Sequence, residues 1–116
     1  MNEKISIFDS TLRDGAQSEG ISFSLQDKLA VTSYLDNLGI DYMECGNPGS
    51  NPKDREFFRE LKKLKLVNAK PVAFTSTHKL GVPPEEDAAL ASVLEADTEY
   101  VTVFGKTSVF HVKNIL

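Results

Sequence analysis

The sequence predicts an α/β fold on a parallel sheet, about four strands with three to four helices, and three observations carry that prediction. Short runs of strand-forming residues recur at 5–8, 42–45, 71–75 and 100–104. Segments with helical periodicity lie between them, and the strand-to-strand spacing of about 30 residues is what a parallel crossover needs.

The elements follow in order. Residues 5–8 are the first strand, ending in the polar string 9–19. Ser24 is the expected N-cap of the first helix, with Asp27 as the acid that suits its first turn. Within that helix Leu25, Leu29, Tyr34, Leu35 and Leu38 recur mostly on one face, and Gly39 stands where such a helix ends. The second strand, 42–45, runs into a loop rich in glycine, proline and asparagine. Asn51 and Pro52 are N-cap and first residue of a second helix that buries Phe57, Phe58, Leu61 and Leu64. The third strand, 71–75, is followed by a loop at 81–84 and a helix at 85–95 with Ala88, Leu90, Ala91 and Leu94 inward. After the fourth strand, residues 107–116 begin a fourth helix through Phe110, Val112 and Leu116. Strand order is not legible from this pattern. A complete small flavodoxin-like sheet and half of a closed barrel both satisfy it, and the motifs have to decide.

Composition narrows the function classes. Seventeen acids against thirteen bases give a net charge of -4, which offers no electrostatic footprint for nucleic acid or an anionic membrane surface. The longest apolar runs, about five residues, fall far short of the roughly 18 of a membrane span, and the N-terminus has no signal-peptide core, so a cytoplasmic location is expected. Cys45 is the only cysteine; it forms no internal disulfide and reads as a buried small apolar residue at a strand end.

The chemistry concentrates in Phe8-Asp9-Ser10-Thr11-Leu12-Arg13-Asp14-Gly15-Ala16-Gln17, where the first strand gives way to a loop. Adjacent residues on a strand point to opposite faces, so Arg13 and Asp14 share a cavity only if the backbone has already left the strand; Gly15 permits that departure. Facing one cavity, the carboxylate suits a hard divalent cation and the guanidinium the oxygen that such a cation polarises, which is machinery for stabilising an enolate. Gln17, Ser10 and Thr11 are candidates to support the site, and Asp9 either orients Arg13 or is a surface charge. Glu44 lies between Met43 and Cys45 in an otherwise apolar strand. Buried without a partner it would be costly, so a cavity or a partner such as Arg13 is expected.

The stretch FDSTLRDGAQSEGISFS resembles the opening motif of the metal-dependent carbon–carbon lyases and synthases built on an α/β barrel, among them isopropylmalate, homocitrate and citramalate synthases and hydroxymethylglutaryl-CoA lyase. The likeness continues through Tyr42-Met43-Glu44-Cys45-Gly46, where that family keeps a glutamate at the end of its second strand. The stretches 49–54, 81–86 and 102–106 look most like the citramalate synthase branch. The resemblance implies that residues 1–116 are the N-terminal portion of the catalytic domain, the first half of a (β/α)8 TIM barrel.

It further implies an acyltransferase that condenses acetyl-CoA with a 2-keto acid, pyruvate favoured, in branched-chain amino acid (isoleucine or leucine) biosynthesis. Asp14 would be a ligand of a divalent metal, Mg, Mn or Zn. Arg13 would stabilise the enolic intermediate or the attacked carbonyl, and Glu44 would orient these groups or take part in proton transfer. Gln17, Arg13, His78 and Thr102 are the candidate substrate-binding residues. The family's His-x-His metal pair has no counterpart here, since His78 and His111 are the only histidines. This chain alone is therefore expected to be inactive. Two other readings stand beside this one, a non-catalytic half-barrel association module and a hydroxymethylglutaryl-CoA-lyase-like carbon–carbon lyase. A half-barrel leaves its sheet edges uncovered, so a homodimer is expected.

The bland readings are specific as well. His78, Thr102 and Lys106 otherwise read as solvated groups at strand ends, and the Gly46 to Gly49 loop as a turn. Lys62, Lys63 and Lys65 suit the negative end of the second helix and carry no claim about CoA.

Overall fold

The structure, a computed structural model, describes residues 3–115. Four strands, β1 (Phe8–Asp9), β2 (Tyr42–Gly46), β3 (Lys70–Ser76) and β4 (Tyr100–Phe104), form one sheet in the order β1-β2-β3-β4. Each neighbouring pair is parallel. The helices α1 (Leu25–Asn37), α2 (Pro52–Leu61), α3 (Ala88–Ala96) and α4 (Val109–Asn114) alternate with them. A doubly wound sheet reverses its strand order at a switch point, whereas sequential order is that of a barrel segment.

The two faces of the sheet differ as a barrel wall requires. Met43, Cys45 and Ala73 point to the helical side, where they join Phe57, Phe58 and Leu61 of α2 and Val93 and Ala96 of α3 in the core. Alternation puts Tyr42, Glu44, Lys70, Val72, Phe74, Tyr100, Thr102 and Phe104 on the other side. There Tyr42 and Tyr100 meet edge to face at 5.1 Å with the Lys70 ammonium 5.6 Å from each ring, and Phe104 stacks on Phe74. The chain exposes 8213 Å², against roughly 6,300 Å² for a compact monomer of its mass. Phe8, Val101, Val103 and Phe104 on the two edge strands are among the exposed apolar residues.

Helix ends follow the local chemistry. Ser24 and Asp27 form a reciprocal capping box, and at the other end of α1 the Gly39 and Ile40 N–H groups bond back to Asp36 and Leu35 with Gly39 at φ +82°. Asn51 caps α2 by accepting from the Lys53 N–H, with Pro52 in its first turn.

Three expectations are corrected. The first strand is only Phe8–Asp9: ahead of it the Ile7 carbonyl accepts from the Asp41 and Tyr42 N–H groups, but the Ile7 N–H goes to the Asp41 carboxylate rather than to a strand partner. The fully buried stripe of α1 is polar, Lys28, Thr32 and Asp36, while Tyr34 and Leu38 are exposed. The third helix begins at Ala88, capped by Asp87, and buries Ser92, Val93 and Ala96; Ala88, Ala91 and Leu94 are exposed and Leu90 is half-buried. Leu64 lies beyond the end of α2 but still packs on the core. The predicted end of the fourth helix at Leu116 lies outside the described residues.

Candidate functional site

Parallel strands bring the loops after β1, β2, β3 and β4 to one edge of the sheet, and the candidate residues gather there. The backbone leaves β1 at once. The Ser10 carbonyl accepts the N–H groups of Arg13, Asp14 and Gly15 at 3.2, 2.9 and 3.1 Å, a tight turn that puts Arg13 and Asp14 off the strand. Asp9 is committed to this turn, accepting from the backbone N–H and the hydroxyl of Thr11, so it does not orient Arg13.

Arg13 reaches across to β2, where its Nε donates to Glu44 Oε1 at 2.5 Å. The Glu44 side chain is 1% exposed, and the guanidinium is the partner its burial demands. A shift of register between Glu44 and Gly46 bends β2 at this point. The guanidinium carbon also sits 4.2 Å from the centre of the Phe74 ring on β3. Asp14 Oδ1 is 3.7 Å from Arg13 Nη1, and its side chain is 68% exposed. One basic and two acidic groups thus converge beyond β1 and β2, with the guanidinium between the carboxylates.

Beside them, between the loops after β1 and β2, is a cleft of about 200 Å³ lined by Arg13, Gln17, Asn47 and Lys53 among others. Its floor is held by a buried ion pair that periodicity does not reveal, Lys28 Nζ to Asp54 Oδ1 at 2.7 Å. Asp54 Oδ2 accepts from the Asn47 N–H, which ties α1 and α2 to the bend after Glu44. Gly46 is required there, since with φ +148° an added Cβ would lie 2.5 Å from the Asp54 carboxylate. The Gly46 to Gly49 segment is a turn rather than a phosphate cradle, its Asn47 carbonyl accepting from Ser50.

Thr102 is half-buried on the same face as Phe74 and paired with it in register. His78 stands in the loop after β3, exposed, with Nδ1 2.9 Å from the Val82 carbonyl and 3.2 Å from that of Lys79. These contacts are within its own loop, which Asp87 pins by accepting from the Lys79 and Leu90 N–H groups. Those two bonds, the Lys79 one foremost, hold the Asp87 carboxyl below its ordinary value against the opposing effect of burial. Lys106 is exposed beyond β4. Cys45 is buried on the helical side; burial, reinforced by the Asp54 and Glu44 charges, pushes its thiol up to about 12.

Among the described residues no group of three histidine, cysteine, aspartate or glutamate side chains is placed to hold a metal ion. Glu44 is occupied by Arg13, which leaves Asp14 as one hard oxygen donor, and one carboxylate does not make a divalent-cation site. Phe74 and the Lys28–Asp54 pair were not singled out from sequence. A lysine on the same helical stripe as Thr32 and Asp36 was the available signal, because an inward lysine demands an anionic partner.

A parallel α/β sheet in sequential strand order, with a guanidinium–carboxylate pair over its C-terminal edge, is the arrangement of the first part of an α/β barrel. The HMGL-like family profile matches residues 4–116, and the chain belongs to that family. It is 47% identical over 114 residues to the (R)-citramalate synthase of Sulfolobus acidocaldarius, covering 98% of this chain and 22% of that one. The (R)-citramalate synthase of Aquifex aeolicus is also 47% identical, over 116 residues, all of this chain and 22% of the relative. The 2-isopropylmalate synthase of Psychromonas ingrahamii is 34% identical over 116 residues, 21% of its length. The chain thus spans about a fifth of the curated relatives it matches. No helix among the described residues is long and apolar enough to cross a membrane.

Proposed function

We propose that this chain is the N-terminal, arginine-bearing portion of an acyltransferase that condenses acetyl-CoA with a 2-keto acid, pyruvate being favoured. The chain alone is inactive, and in the complete enzyme Asp14 contributes one ligand to a divalent-metal site whose other donors come from elsewhere. The product of pyruvate, after hydrolysis of the thioester, is citramalate, an intermediate of isoleucine biosynthesis. The identity to proteins named citramalate synthase, higher than to the isopropylmalate synthases, supports the choice of pyruvate.

The observation that carries the proposal is the Arg13–Glu44 pair with Asp14 alongside. In a Claisen-type condensation the methyl group of the thioester loses a proton and attacks the keto carbon, so negative charge builds on oxygen, first of an enolate and then of an alkoxide. Arg13 uses Nε for Glu44 and keeps its Nη donors for such an oxygen. Glu44 is spent on the guanidinium, which favours orientation over proton abstraction as its role. Gln17 lines the cleft next to Arg13, where a polar substrate group would enter.

The test is a chimera in which residues 1–116 replace the corresponding part of the Aquifex aeolicus (R)-citramalate synthase. With acetyl-CoA, pyruvate and Mg2+ or Mn2+, release of CoA is expected from the chimera and not from this chain alone. Arg13→Ala in the chimera should lower kcat by about 10²-fold or more, as loss of an oxyanion donor does. A folded chimera that makes no citramalate, or one indifferent to Arg13→Ala, would overturn the proposal.

A further inference from the structure

Arg13 is held at two places, by Glu44 at its Nε and by the Phe74 ring, over which the guanidinium carbon sits 4.2 Å from the centre. A hydrogen bond at Nε alone leaves the planar group free to swing about that contact, so a second restraint at the guanidinium carbon is needed to aim the Nη edge. We propose that Phe74 is a positioning residue, whose ring face fixes the plane of the Arg13 guanidinium so that its free donors point at the oxygen of a bound 2-keto acid or enolate. The catalytic consequence rests on the role of Arg13 proposed above; the geometric claim does not.

Phe74 stacks on Phe104 of β4 with centroids 6.3 Å apart and planes at 29°, and it stands on the same sheet face as Glu44. The Arg13 side chain is 23% exposed, and cation–π attraction strengthens as the cation loses water. Leucine at this position would fill much of the same space, but it offers no negative ring face. Shape and π-attraction are therefore separable.

The experiment substitutes pentafluorophenylalanine for Phe74 in this chain, reversing the ring quadrupole at nearly constant shape, alongside Phe74→Leu and Phe74→Tyr. The readout is the hydrogen-exchange rate of the Arg13 Nε–H by 15N-edited NMR without substrate, with the backbone amide spectrum and melting temperature as fold controls. About tenfold faster exchange is expected for the fluorinated ring and for Phe74→Leu, and a rate within about twofold of the parent for Phe74→Tyr. Should Phe74→Leu fail to fold, the fluorinated chain decides alone. Exchange there within about twofold of the parent, or equal acceleration in Phe74→Tyr, would overturn the proposal. Because no turnover is measured, that failure is distinct from an inactive chimera.

Discussion

Asp36 ties the helical layer to the start of β3, and its removal is the sharpest stability test on the molecule. Its carboxylate accepts the N–H groups of Val67, Asn68 and Ala69 at 3.0, 2.7 and 2.7 Å, and its own carbonyl accepts from the Asn68 side chain. Asp36→Ala strips all three donors of their partner, but Val67 and Asn68 are exposed and can turn to water. Only the Ala69 N–H is left buried and unpaired, at about 1–3 kcal/mol, and exchanging two charge-assisted bonds for water adds about 1 kcal/mol. The expected loss is about 2–4 kcal/mol, or roughly 8–16 °C in Tm at about 4 °C per kcal/mol. Asp36→Asn keeps one acceptor oxygen and should lose about half as much. Urea titration followed by circular dichroism measures both. Burial alone would raise the Asp36 pKa, yet the three N–H bonds together hold it below the ordinary value of 3.8. A depressed folded-state pKa means the stabilisation is complete above the unfolded value and is lost as pH falls through the folded one. The gap between parent and Asp36→Asn should accordingly persist at neutral pH and close below about pH 4. An Asp36→Ala chain within about 0.5 kcal/mol of the parent at pH 7 would refute the reasoning.

Three further outcomes are expected. Lys28→Met alone should cost about 3–5 kcal/mol by leaving the Asp54 carboxylate buried without its ammonium, whereas Lys28→Met with Asp54→Asn should recover part of that loss; equal stability of the two variants in urea titration would contradict the buried-pair assignment. Cys45, with its thiol pushed up to about 12, should resist Ellman's reagent in the folded chain at pH 8 and react fully in denaturant. Because apolar side chains lie exposed on both edge strands, the isolated chain should self-associate, as a homodimer or larger, in light scattering at micromolar concentration, and a monodisperse monomer would count against it.

Local chemistry was the legible part of the fold. Ser24 with Asp27, Asn51 with Pro52, and Gly39 each act through neighbours a few residues away, and each stands where the sequence places it. The inward faces of α1 and α3 were not legible, for two separate reasons. In α3 the sequence AALASVLEA is small or apolar nearly all round, so it offers little contrast between neighbouring faces, and a helix position one residue along lies about 100° around the axis. Thus Val93, not Leu94, meets the core. In α1 the buried stripe is polar because partners distant in sequence satisfy it, Asp54 for Lys28 and the 67–69 backbone for Asp36, and a hydrophobic period carries no trace of such partners.

The site divides in the same way. A glutamate buried in an apolar strand requires a cavity or a partner such as Arg13, and the structure supplies Arg13. Phe74, by contrast, is an ordinary strand phenylalanine in sequence, and only the register of β3 against β2 makes it the floor beneath the guanidinium. The turn on the Ser10 carbonyl, rather than a special conformation at Gly15, carries Arg13 and Asp14 off the strand.

A double-mutant cycle on Arg13 and Glu44 reaches the centre of this account. Arg13→Met, Glu44→Gln and the paired variant are compared by urea denaturation at neutral pH. A coupling energy of about 2 kcal/mol or more is expected, because the lone arginine substitution strands a carboxylate that is 1% exposed. Additive losses, with coupling within about 0.5 kcal/mol of zero, would mean that the two side chains do not form the unit on which the proposed chemistry depends.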